Sequence, residues 1–290
     1  MSGTHAAPFV LLDGAWGTEL IARGADPSAC LDAHNLTHPE LVLAIARAYV
    51  EAGSQILLTN TFGANRLALS HHGLEAQARA INHAGVALSR QAAQGRARVF
   101  GSIGPSRMRW GSVSAAELRA AFAEQATALA EAGAEGLVLE TMGDLREALI
   151  ALEAAQATGL PVVACMSFHK PGDTACDGTT PEQAARAFTE AGAYAVGANC
   201  GSGVAHHVAI CRRLRSATTL PIWIKPNAGV PRLQEGCWVY PDSAVEFVAH
   251  LPLLIAAGAA FVGGCCGTSA ETIAALREAA LKSEVTSPRE

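Results

Sequence analysis

The chain has 290 residues, half of them hydrophobic and 16% charged, with 21 Lys and Arg against 26 Asp and Glu for a formal net charge of −5. That apolar fraction supports a buried core and excludes wholesale disorder, while an acidic balance with no basic stripe argues against nucleic acid and anionic membrane surfaces as partners. Eight cysteines in a chain of this length are too sparse for a disulfide scaffold, so free thiols in a reducing cytoplasm are expected.

The first nine residues lack the basic and long apolar segments of an export signal. Runs rich in Val, Ile, Leu and Phe then fall at 9–13, 55–59, 98–102, 136–140, 161–167, 194–199, 221–225 and 260–264, and each reads as a strand. Helix-period stretches lie between them, clearest at 39–52, 75–93, 115–132, 144–158 and 269–281. Glu-Ala-Gly recurs at 51–53, 131–133 and 190–192, and Ala-Ala-Gly stands at 256–258, placing glycine where a left-handed residue closes a helix. Strands that are apolar throughout are buried on both faces, as parallel strands under helices are. Eight βα units in this length predict an α/β fold, a single-domain (β/α)8 TIM barrel over residues 1–281 with a polar tail at 282–290. A doubly wound sheet is the alternative, but G-x-G-x-x-G spacing is missing after the first strand. The stretch 247–270 carries no Asp, Glu, Lys or Arg and is long enough to span a bilayer. His250, Pro252 and Gly258 break it into helix, turn and strand, so no membrane span is expected.

Chemistry in this fold is built at the carboxyl ends of the strands. Those ends carry Asp13, Thr59 with Asn60, Ser102, Glu140, Ser167, Asn199 with Cys200, Lys225 with Asn227, and Cys265 with Cys266. Polar residues suit any barrel rim, but cysteine is usually a small buried hydrophobe, and three at two strand ends stand out. Strands six and eight are both even, so their inward residues share a layer and the three sulfurs can converge. Thiolates select Zn2+ among common cytosolic metals, and three protein ligands leave a fourth position open, as in a catalytic zinc site. A buried structural trio or a vicinal Cys265–Cys266 disulfide are the competing readings. Three thiolates on a divalent ion leave the site at net −1, which keeps a fourth, substrate thiolate nucleophilic and favours attack by sulfur on carbon.

Asp13 and Glu140 can together hold an ammonium group. Otherwise Asp13 is a turn residue ahead of Gly14, and Glu140 a partner of Arg146. Asn60, Asn65, Asn199 and Asn227 are candidates to orient a carboxylate or support the sulfurs, or are turn formers.

The segments DGAWGTEL at 13–20, TNTFGAN at 59–65, GSIGP at 101–105, LET at 139–141, GANC at 197–200, PNAG at 226–229 and GGCCGT at 263–268 carry a resemblance that runs nearly end to end. In them the chain resembles the homocysteine S-methyltransferase family, including the homocysteine-binding barrel of cobalamin-dependent methionine synthase and betaine-homocysteine methyltransferase. The resemblance implies zinc held by Cys200, Cys265 and Cys266, homocysteine thiolate as fourth ligand, Asp13 and Glu140 around the substrate amino group, and methionine as product. Asn60, Ser102 and Asn199 complete the expected substrate site. The methyl donor stays open. No segment is expected to hold cobalamin or folate, and Gly267 stands where members using S-methylmethionine commonly carry Arg. A small onium donor would need an aromatic cage, for which Trp16, Phe62, Trp110, Phe168 and Trp238 are candidates. The loop 106–111, with Arg107, Met108, Arg109 and Trp110, is a candidate for donor or partner recognition. Two other readings remain: an aldolase-like enzyme with Lys225 as Schiff-base lysine and 263–268 as phosphate cradle, and a homocysteine-presenting subunit that works only with a separate methyl-corrinoid protein.

Overall fold

The computed structural model describes residues 9–234 and 237–286. Eight parallel strands form one sheet: β1 (Val10–Leu11), β2 (Ile56–Leu58), β3 (Arg98–Ile103), β4 (Gly136–Met142), β5 (Val162–Met166), β6 (Ala195–Cys200), β7 (Ile222–Pro226) and β8 (Ala259–Val262). Their order around the sheet is β1-β8-β7-β6-β5-β4-β3-β2. Each strand of this (β/α)8 barrel pairs in parallel with its neighbour, from Val10 beside Phe261 round to Ile56 beside Arg98.

Between β1 and β2 the ladder is reduced to one backbone bond, and side chains complete it. Gln55 donates its backbone N–H to the Leu11 carbonyl at 2.7 Å, and its Oε1 accepts the Leu11 N–H at 2.8 Å. One turn further on, the Asp13 carboxylate accepts the Leu58 N–H at 2.8 Å. The barrel is therefore nearly closed, and its seam runs up to the mouth at Asp13.

Two apolar layers account for strands that are apolar throughout. Inside the barrel, Leu12, Leu58, Phe100, Val163 and Phe261 pack around Trp223, whose ring stacks on Phe100 at 6.3 Å between centroids and lies tilted against Phe261 at 5.1 Å. Outside it, helices such as Pro39–Ala52 and Ala115–Glu131 bury their apolar faces on the strands. Their ends follow from local chemistry. Proline opens the first, a Ser114–Glu117 capping box opens the second, and Gly53, Gly133, Gly192 and Gly258 all take positive φ where the repeated phrase closes a helix.

Two features differ from the sequence reading. A short antiparallel hairpin, Arg232–Gln234 with Cys237–Val239, stands between β7 and the helix Ala244–Ala256. The last helix, Ala270–Thr286, continues past residue 281, and residues 287–290 of the expected tail lie outside the described residues. Among the described residues no helix is long and apolar enough to cross a membrane. Pro252 stays inside its helix, and the following turn ends the run.

The seam yields a prediction. Gln55→Ala leaves the Leu11 N–H without its acceptor and should destabilise the protein by about 1 kcal/mol, read by urea unfolding, with faster hydrogen exchange at the Leu11 amide. Unchanged stability and exchange would show that the seam does not depend on this side chain.

Candidate active site

At the carboxyl ends of the strands lies a cavity of about 550 Å³, and Cys200, Cys265 and Cys266 form part of its wall. Their sulfur atoms all lie within 4.8 Å of one another. The end of β7 holds them there. Pro226 accepts the Cys265 N–H at 2.7 Å, Ala228 donates to the Cys266 carbonyl at 2.9 Å, and Asn227 donates to the Cys200 carbonyl at 3.3 Å. Cys265 and Cys266 lie beyond the end of β8 in a turn, which frees two adjacent side chains from strand alternation and lets both face the site. Gly267 makes this turn possible: it has φ +82°, and a Cβ there would meet the Tyr240 ring at 2.3 Å.

Cys200 itself has φ +65°, and Thr141, near the end of β4, has φ +56°. Such backbone is rare for a β-branched residue and clusters at functional sites. Asn199 clamps Thr141 from both sides: its Oδ1 accepts the Thr141 N–H at 2.6 Å and its Nδ2 donates to Thr141 Oγ1 at 2.7 Å. The same Nδ2 lies 3.8 Å from the Cys265 sulfur.

The seven cysteines whose side chains are described are free thiols, Cys265 and Cys266 included, so the vicinal disulfide is not formed. Within the trio, Cys265 and Cys266 donate to the Cys200 sulfur and draw its pKa far down. Donation to Cys200 pushes Cys265 up to about 11, and Cys266 rises for the same reason. The donor set fits a thiophilic metal ion: three converging sulfurs, with the buried Asn227 side chain against Cys200 leaving its Oδ1 without a protein partner.

Below the sulfurs lies a charged floor. Glu140 is 8% exposed, lines the cavity and accepts the Ser102 hydroxyl at 2.5 Å. Burial pushes its carboxyl up to about 7 against the opposing charge of Lys225. Lys225 is 2% exposed, and its Nζ lies 2.5 Å from Asp13 Oδ1. Burial disfavours the Lys225 ammonium, but Asp13 and Glu140 outweigh burial and its pKa rises. Arg146 pairs with Asp144 instead of Glu140.

Asp13 departs from its expected place. It is fully buried behind the cavity wall, where its two oxygens accept Lys225 Nζ, the Leu58 N–H and the Trp16 indole N–H at 3.0 Å. Three of its roughly four acceptor positions are filled, so it fixes Lys225, β2 and Trp16 and does not face the cavity. Ion pairing also removes the free amine that a Schiff-base lysine needs. Asn60 lines the cavity, but its Nδ2 is spent on Leu31 and Asn35. Asn65 caps the helix Arg66–Ser70. Of the five aromatic candidates, Trp16 and Phe62 line the cavity. Phe168 is core, Trp110 stacks on Arg146 at 4.1 Å, and Trp238 is exposed on the hairpin.

A family model described as homocysteine S-methyltransferase matches residues 10–280. The methionine synthase of Mycobacterium tuberculosis is 33% identical over 92% of this chain, and that of Mycobacterium leprae is 30% identical over 93%. The chain spans about a quarter of the length of these relatives, 24% in each case. Among solved structures, the homocysteine methyltransferase MmuM from Escherichia coli in its metallated form superposes with a TM-score of 0.79 at 28% identity, covering 93% of this chain and 96% of that one.

Lys225→Met strands the buried Asp13 charge and should cost about 3–5 kcal/mol in urea unfolding at neutral pH. A loss below about 1 kcal/mol would mean that the pair does not organise the floor.

Proposed function

This chain belongs to the homocysteine S-methyltransferase family and is an S-methyltransferase, and from that premise we propose that it moves a methyl group from a small onium donor to the sulfur of homocysteine, giving methionine, at a zinc ion held by Cys200, Cys265 and Cys266. The observation that carries this reading is the convergence of three sulfurs within 4.8 Å on the wall of a cavity whose floor carries a buried carboxylate. When bound there, zinc supplies the charge that keeps an incoming thiol deprotonated at neutral pH.

The remaining steps belong to side chains of the chain. Glu140, held by Ser102, receives the homocysteine ammonium beside the sulfurs. Asp13 supports this indirectly by fixing Lys225 and Trp16. Asn199 and Thr141 hold the rim next to Cys265. Trp16 and Phe62 line the same cavity and supply the aromatic rings for a positively charged donor. The homocysteine sulfur loses its proton to solvent and forms a bond to the methyl carbon. The carbon–onium bond breaks with its electron pair staying on the donor, which leaves as a neutral thioether or amine. Because the sulfur is already a thiolate, the attack needs no general base. Free thiols throughout the described residues support placing the protein in a reducing cytoplasm.

The test is a donor panel on the isolated, zinc-loaded chain with homocysteine: betaine, S-methylmethionine and dimethylsulfoniopropionate. Methionine formation by the chain alone is the expected result. Silence with all three that a methyl-corrinoid protein cures would replace direct transfer with the partner-dependent reading.

Glu140 also sets a pH dependence. Its carboxyl loses its proton near pH 7 in the folded protein, and only the ionised form attracts an ammonium. Homocysteine binding should tighten as pH rises through about 7, and Glu140→Gln should weaken binding and remove that component. Calorimetric titrations of both proteins across this range check it; the same pH profile in both would reject the role.

A further inference from the structure

Arg107 is the cation that the cavity exposes and the proposed chemistry leaves unused. It lines the same wall as Trp16, Phe62 and Asp32, yet among the described residues it donates no hydrogen bond and closes no ion pair. Its Nη2 lies 3.5 Å from the point where a Cβ on Gly63 would sit, and Asp32 Oδ2 lies 2.7 Å from that point. Asp32 Oδ1 accepts the Gly63 N–H at 2.9 Å, and the charge of Arg107 acts on this buried carboxylate from a distance without closing an ion pair, so the guanidinium's donors stay open to a ligand.

The backbone presents this side chain under constraint. Arg107 has φ +61°, a left-handed conformation that persists only where the surroundings impose it. The flanks impose it here. Ser106 donates its N–H to the buried Glu147 carboxylate at 2.6 Å, Met108 donates to Ser106 Oγ at 3.2 Å, and Asn65 donates to the Pro105 carbonyl at 3.3 Å. Nothing in the loop uses the guanidinium that this arrangement delivers to the cavity.

We propose that Arg107 is a specificity-determining residue that receives the carboxylate of the methyl donor. The inference rests on the direct-transfer reading above and names the residue that selects the donor within it. The acceptor's thiol and ammonium are met by the cysteines and Glu140, while Trp16 and Phe62 suit an onium. The guanidinium fork matches a carboxylate in two-point contact.

The experiment compares dimethylsulfoniopropionate with its primary amide, a donor of the same shape without the negative charge, using the zinc-loaded wild type, Arg107→Gly and Arg107→Lys. Glycine takes positive φ without strain, so its substitution removes the side chain and leaves the loop. Wild type should favour the carboxylate in kcat/KM by roughly ten- to a hundredfold. Arg107→Gly should lose that preference while keeping its rate with the amide and its KM for homocysteine, and Arg107→Lys should restore part of it. Equal rates with both donors in wild type, an equal fall for both in Arg107→Gly, or a rise in the KM for homocysteine would overturn the assignment. Turnover of neither donor by wild type would instead defeat direct transfer, and this inference with it.

Discussion

The end of β7 is the constraint on which the site depends. It lies between β6 and β8, and its backbone groups at Pro226, Asn227 and Ala228 bond to Cys265, Cys200 and Cys266 in turn. Parallel strands alone would leave the cysteines on separate ladders, with Cys265 and Cys266 on opposite faces. The turn after β8 breaks that alternation, and the β7 bonds fix where the broken chain goes. The sulfurs meet because a third strand bonds to the ends of its two neighbours.

Electrostatics at the mouth follow from the same arrangement. Thiols packed this closely favour ionisation at Cys200 over Cys265 and Cys266, and a divalent cation bound there would release the remaining protons and leave the site at net −1. Lys225 balances Asp13 and leaves Glu140 as the carboxylate of this pair that opens on the cavity. Position separates two acidic residues of similar chemistry: one is committed to the protein, and the other is available to a ligand. Asp13 links these parts, since one oxygen holds Lys225 while the other closes the barrel seam at Leu58 and steadies Trp16.

Much of this was legible in the sequence because it depends on local periodicity. Apolar runs and repeated helix stops mark the barrel, and strand ends mark the rim, so Cys200, Glu140 and Ser102 could be placed by position alone. The resemblance added the substrate and the zinc assignment. The rest depends on contacts that no local pattern encodes. Asp13 and Lys225 meet across 212 residues of sequence, which is why Asp13 read as a substrate contact when it stands behind the wall. The left-handed backbone of Thr141 and Arg107 has no composition signal, since neither is glycine. Tyr240, packed over Gly267 and against Cys266, follows a hairpin too short and too exposed to register as strands. Its presence was hinted at only by the glycine that must make room for it.

The central claim, that three cysteines from two strand ends bind one zinc and leave it open to an incoming thiol, is tested most directly by X-ray absorption at the zinc edge on the reduced, zinc-loaded protein with and without homocysteine. The account predicts three sulfur neighbours plus one lighter atom in the resting protein, and four sulfurs once homocysteine is added. Zinc that keeps the same sulfur count on adding homocysteine, or fails to bind in stoichiometric amount, would contradict it.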